Sequence, residues 1–234
     1  MKVITNIFRS SLGKKYIMAV SGLVLFLFVI GHLVGNLQFF LGAEAINRYG
    51  HFLQTNLEVI WPARISLLAM IGLHIWAAIN LSRENKAARP VGYANWNPTT
   101  ASYASRTMLM SGIIIFVFII YHLLHYTVTV QSINLTGQNF AAFEDVEKRH
   151  DIFKMMVVGF NNLWVSLFYI LGIGLLCLHL SHGLGSMFQS LGLKNKIYGP
   201  CLDTGARVLA FLIFVGYVSI PISVLLGYGK EALK

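Results

Sequence analysis

The chain has 234 residues, of which 56% are apolar and only 12% charged, and its mean hydropathy is +0.66. A water-soluble globule of this size cannot hide that much apolar surface in one core, so the chain reads as an integral membrane protein. The same numbers exclude disorder and a disulfide scaffold, and they leave too few polar residues for a large extramembrane catalytic domain.

A helix needs about 20 mostly apolar residues to cross a bilayer. Five runs qualify, at 16–41, 62–83, 106–130, 160–188 and 207–229. None alternates as a barrel strand would, so the expected fold is all-α, a single transmembrane domain over 1–234 built as a five-helix bundle. The first run is too long for the core of a cleaved signal and is read as retained. It carries Ser21, Gly22 and His32. The second holds His74 and leads into a polar connection at 84–105 with Pro90, Gly92, Asn95, Asn97 and Pro98, the natural boundary between two helical hairpins. The third holds Ser111, Gly112, His122 and His125. The polar stretch after it predicts a short surface helix around 140–153. The fourth run holds Cys177, His179 and His182, and the fifth has Pro221 and no histidine.

The basic residues set an orientation. With the N-terminus in the cytoplasm, the inner segments hold eleven Lys and Arg against two acids, and the outer segments seven against seven. The whole net charge of +9 then lies on one side, as the positive-inside rule requires. A nucleic-acid partner is not needed to explain it. No glycine-rich phosphate loop follows a strand, and no C-x-x-C-H is present, so any haem is not covalently attached. Two cysteines cannot build an iron–sulfur cluster or a structural zinc site alone.

The histidines carry the functional signal. Six of the eight lie in spans, with at least one on each of the first four. An intramembrane imidazole is costly and marks function by default. One such histidine can simply donate to a neighbouring helix carbonyl, but a set spread over four consecutive helices is the pattern of bis-histidine haem ligation. Depth suggests the pairs. His32 and His122 are similarly far from the inner charges on two outward-running helices, so they share an outer haem. His74 and the fourth-helix histidine lie toward the cytoplasmic ends of inward-running helices and share an inner one. Ser-Gly precedes His32 and His122 at the same spacing, which selects His122 over His125 and suggests glycines clearing room for a flat macrocycle. On the fourth helix depth favours His182, whereas Gly183, four residues after His179, favours His179.

Several segments together resemble a known family. The run from Gly22 to Ile30-Gly31-His32, the outer segment Gly42 to Asn47 followed by His51-Phe52, the run Gly112 to His122, and His179-x-Ser181-x-Gly183-Leu184 are similar to the cytochrome b membrane anchor of succinate dehydrogenases and fumarate reductases. The relevant type has one anchor chain, five helices and two haems b. The resemblance implies haem-iron ligation by His32 with His122 (outer) and His74 with His179 (inner), and it demotes His182. It implies a complex in which a flavoprotein interconverts succinate and fumarate, an iron–sulfur subunit passes electrons to the inner haem, and the outer haem exchanges them with quinone, expected to be menaquinone. This chain would supply haem, quinone contacts and attachment to a bacterial cytoplasmic membrane, and no succinate site. A higher oligomer of the complex is compatible with it. Some relatives carry a glutamate where this chain has Cys177. For the quinone headgroup, polar residues near the outer end of the second span stand out: Glu58, Trp61 and Arg64, with His51 before them.

Three alternatives compete with this reading. A haem b anchor of another dehydrogenase, hydrogenase or nitrate reductase complex would tend to cluster its ligands on fewer helices. A proton-coupled transporter would break its helices in mid-span, where only Pro221 is available. A scaffold leaves the histidines unexplained.

Overall fold

The computed structural model describes residues 2–88 and 103–233. Among these, the secondary structure is helical, with an isolated bridge between Glu144 and His150 and no strand. The prolines and asparagines of the expected hairpin boundary, from Pro90 to Pro98, lie outside the described residues.

In chain order the helices are α1 (Lys2–Arg9), α2 (Ser11–Leu37), α3 (Ala43–Thr55), α4 (Leu57–Ala87), α5 (Tyr103–Arg106), α6 (Met108–His122), α7 (Ile152–Asn161), α8 (Leu163–Ser190) and α9 (Gly199–Leu225). Among the described residues, five segments are long and apolar enough to span a bilayer, in α2, α4, α6, α8 and α9. Their large outward side chains fit this: Leu68, Leu171 and Phe211 are each more than 60% exposed, which lipid tolerates and water does not. The chain is an all-α, multi-pass membrane protein.

Several helix ends differ from what run length alone suggests. Helix α4 starts at Leu57 and passes through Pro62, a residue near enough to the start that only one early backbone bond is given up. Helix α6 ends in a single π-helical turn, Leu123–Thr127, closed by Val128 N–H on Leu123 O at 2.8 Å. The surface helix expected around 140–153 is replaced by a 3₁₀ turn, Phe140–Ala142, and by α7, which starts only at Ile152. The reason is local capping. Asp151 accepts from Lys154 N–H at 2.9 Å and so starts the helix there. Nor is α7 a surface element, since its residues from Met155 to Phe160 are all buried. At its end Asn162 turns extended and caps α8, accepting from Trp164 N–H at 3.0 Å and Val165 N–H at 3.3 Å.

The chain divides into two compact units, and all five long helices contribute a segment to each. The first unit comprises Met1–Val29, Ala63–Ser111 and Leu178–Ala210. Here Lys14, 7% exposed, pairs with Glu84, which also accepts from Ser11 Oγ at 2.7 Å, tying the start of α2 to the end of α4. Lys194 pairs with Asp203 at 2.7 Å beside the start of α9.

The second unit comprises Ile30–Pro62, Gly112–Cys177 and Phe211–Lys234. Its polar segment is folded around Arg149, whose guanidinium reaches Glu44 at 2.6 Å, Asp145 at 2.7 Å and Glu147 at 3.1 Å. Buried Asn47 donates to Asp145 at 3.3 Å and Asp151 at 3.1 Å, and accepts from Phe153 N–H at 3.0 Å. This network pins α3 against the start of α7. Hydrogen bonding from Arg149 holds the Glu44 carboxyl below its ordinary value. Burial pushes Asp145 up, but hydrogen bonds from Arg149 and Glu147 outweigh it, and its carboxyl is also held down. Groups lowered in this way stabilise the folded segment above the ordinary carboxylate range, and that contribution disappears as pH falls below about 4. Acidification should therefore loosen residues 137–151 before the spans. Arg149→Leu should do the same at neutral pH, read as faster amide exchange or proteolysis confined to that segment.

Candidate functional site

Four of the histidines meet as two pairs, each inside one unit. In the second unit the His32 ring on α2 lies 5.7 Å from His122 at the end of α6, with planes crossing at 80°. In the first unit the His74 ring on α4 lies 6.4 Å from His179 on α8, at 60°. Two imidazoles on opposite faces of one iron, with metal–nitrogen bonds of about 2 Å, have ring centres about 6 Å apart. Rotation about the ligand axis leaves the crossing angle free. Among the described residues no group of three or more His, Cys, Asp or Glu could hold a metal ion. Each pair would suit a haem iron held between its two imidazoles.

The pairs have matching supports. Ser21 Oγ lies 3.2 Å from His74 Nδ1, and Ser111 Oγ lies 3.2 Å from His179 Nδ1. Each hydroxyl also reaches a carbonyl of its own helix, Ile17 O at 2.7 Å for Ser21 and Met108 O at 3.1 Å for Ser111. A serine has one hydrogen; given to the carbonyl, it leaves the oxygen to accept from Nδ1–H. The proton is then held on Nδ1, and Nε2 keeps the lone pair that a metal needs. The sequence signal for these two serines was present as the Ser-Gly repeat. A Cβ at Gly22 would meet His74 Cε1 at 3.3 Å, so this glycine makes room for the His74 ring.

In the second unit Tyr169 on α8 takes the place of serine. Its hydroxyl lies 3.4 Å from His122 Nδ1 and 3.0 Å from His125 Nδ1. His125 is fully buried in the π turn, in ring contact with Tyr126 at 4.0 Å and Phe140 at 5.6 Å. Its Nε2 and the Tyr126 hydroxyl are buried without a partner, each at a cost of about 1–3 kcal/mol. Sequence reading could not have found Tyr169, which has no local motif and lies 47 residues from His122. His182 spends Nε2 on Ser186 Oγ of its own helix at 3.1 Å, whereas His179 faces His74.

The candidate quinone residues His51, Glu58, Trp61 and Arg64 are all exposed, and the last three follow one another at three-residue spacing along α4. A cavity of ≈ 140 Å³ does adjoin His32, lined also by Gly35, Asn36, Tyr49, Leu53 and Ile152, and by none of those four. Gly35 admits Tyr49 to this cavity, since a Cβ would meet the phenol oxygen at 2.9 Å. Asn36 turns its amide to His32 O at 2.7 Å.

The model of one protein family, the succinate dehydrogenase/fumarate reductase transmembrane subunit, matches residues 79–220, more than half of the chain. The chain belongs to that family. It is therefore a membrane subunit of a succinate dehydrogenase/fumarate reductase complex, and the family implies association with the other subunits of that complex. The matched stretch contains His122, His179, Ser111 and Tyr169 and begins just after His74. No curated protein and no solved structure matches the chain. Membership favours the anchor over the transporter, the scaffold and the anchors of other complexes. For this subunit, Gly22→Val should push the His74 ring from its seat. If each pair holds a haem, the expected result is loss of the absorbance that depends on the His74 pair with retention of that which depends on the His32 pair, read in reduced-minus-oxidised spectra.

Proposed function

We propose that this subunit is a di-haem cytochrome b anchor that carries electrons between the iron–sulfur subunit of its complex and membrane quinone. The observation that supports it best is the pair of His–His approaches, at 5.7 and 6.4 Å, each with an oxygen at the Nδ1 of at least one ring. His32 and His122 would hold one haem b and His74 and His179 the other. Each haem, when bound, supplies a one-electron iron couple within the membrane. The chain's own work is to hold the imidazoles in one tautomer and keep water out with apolar helix faces. Succinate chemistry belongs to the flavoprotein partner.

The distribution of basic residues supports an N-terminus in the cytoplasm and a bacterial cytoplasmic membrane as the location, with 1–234 acting as a single transmembrane domain. In that orientation the His32 pair is the outer one and the His74 pair the inner. The quinone, menaquinone in this reading, is exchanged near the outer pair, with Glu58 or Arg64 as its polar contact and Trp61 and His51 as further candidates.

Two tests follow. A pyridine haemochrome assay on the purified complex should count two haems b per chain. His32→Ala or His122→Ala should then remove one spectral component, and His74→Ala or His179→Ala the other. No haem in a cofactor-replete preparation would end the cytochrome reading, and loss of haem in His182→Ala but not His179→Ala would reassign the fourth-helix ligand. For the quinone, Glu58→Gln or Arg64→Leu should slow quinone turnover at least severalfold while both haems remain. Normal turnover in both would move the site elsewhere, and the cavity at Asn36 and Tyr49 is the next place to substitute.

A further inference from the structure

The two histidine pairs differ in what stands behind their ligands. Behind His74 and His179 is a serine whose hydrogen goes to its own helix. Behind His122 is a tyrosine shared with a second, buried histidine. Resting on the haem reading above, we infer that Tyr169 and His125 form a two-step hydrogen-bond chain that positions His122 and sets the electron affinity of its haem apart from the other.

The direction of the chain follows from counting hydrogens. Tyr169 has one O–H and lies within reach of Nδ1 on both histidines, at 3.4 Å from His122 and 3.0 Å from His125. It can donate to only one of them. To ligate through Nε2, His122 must keep its own proton on Nδ1, so it donates to the Tyr169 oxygen. If the Tyr169 oxygen accepted from His125 as well, its own hydrogen would have neither histidine to go to, so Tyr169 donates to His125 Nδ1, along the shorter contact. His125 then carries its proton on Nε2, the atom that is buried with no partner. A leucine here would remove that unpaired nitrogen but would leave the Tyr169 hydrogen without an acceptor. The retained imidazole is accounted for by its other nitrogen, as acceptor for Tyr169.

The local backbone serves the same end. His125 and Tyr126 lie in the π turn that begins directly after His122, and single π turns inside helices are often associated with functional sites. The turn keeps His125 fully buried against Tyr126 and Phe140 while His122 faces His32. Hydrogen bonds in such a chain polarise one another. By giving its hydrogen to His125, Tyr169 becomes a better acceptor, and His122 becomes a more basic ligand. A more basic ligand favours the oxidised iron.

Redox titration of the purified complex, with each haem identified through the ligand variants, tests this. Tyr169→Phe removes only the hydroxyl. It should keep both haems and raise the reduced-to-oxidised ratio of the His122 haem about tenfold at a fixed potential, equivalent to 59 mV for one electron, leaving the His74 haem unmoved. His125→Leu should shift the same haem in the same direction, and the double variant should not add. His125→Asn, which keeps an acceptor near the Nδ1 position, should return the wild-type value. Unchanged potentials in haem-replete Tyr169→Phe and His125→Leu complexes, or equal shifts of both haems, would overturn the inference. A role in packing alone predicts lower thermal stability with no change in either potential. Should His125→Leu lose haem, the Tyr169→Phe and His125→Asn results decide by themselves. Fewer than two haems in the unsubstituted complex would instead sink the di-haem reading itself, and that is seen before any variant is made.

Discussion

An imidazole inside a bilayer has two nitrogens and no water to satisfy either. Much of this subunit is arranged around that constraint. At each pair one ring edge faces a histidine from another helix, and the opposite edge of His74, His179 and His122 meets a hydroxyl. The hydroxyls come from three different helices, α2, α6 and α8, so the tautomer of each ring depends on helix packing and not on its own neighbours in sequence. A helix shift of an ångström or two would leave a polar nitrogen unpaired in apolar surroundings. The histidine pairs are thus both the chemical centre of the fold and a reason for its register.

The polar parts of the second unit work to the same end from outside the spans. Arg149, Asn47 and Asp151 fasten α3 to the start of α7, and α7 buries an unbroken apolar stretch. Phe39 and Phe153 stack at 5.0 Å on this base, and Tyr228 closes on Phe39 at 5.2 Å. Phe140, delivered by a 3₁₀ turn of the same segment, lies against His125. The loop between the third and fourth spans therefore covers the buried tyrosine–histidine cluster, with Arg149 turned inward onto Asp145.

Much of the fold was legible as run length. Uncharged stretches of span length have little choice but helix in lipid, since every backbone group must bond within its own segment. The helix ends were less legible, because they depend on single side chains: Asp151 starting α7, Asn162 separating it from α8, and a π turn ending α6. The histidines stood out by residue type, since an ionisable group in an apolar run is rare. Their supports did not. Serine in a span usually signals close helix packing, and only the fold shows that Ser21 and Ser111 each reach a ring on another helix. The Ser-Gly repeat was visible, but only the fold shows that the glycine at position 22 lies against the His74 ring.

The sequence by itself determined the all-α membrane class, the number of long spans and the identity of the chemically unusual residues, because these depend on composition and local periodicity. Which atoms meet was decided by tertiary structure alone. His122 and His125 are three residues apart on one helix and chemically identical, yet one faces His32 and the other is buried behind Tyr169. The Ser-Gly spacing singles out His122, but no local pattern says where His125 goes instead. The difference comes from the π turn and from the helix packed against it, and hydrogen-bond partners 44 to 68 residues away cannot be read from a one-dimensional pattern.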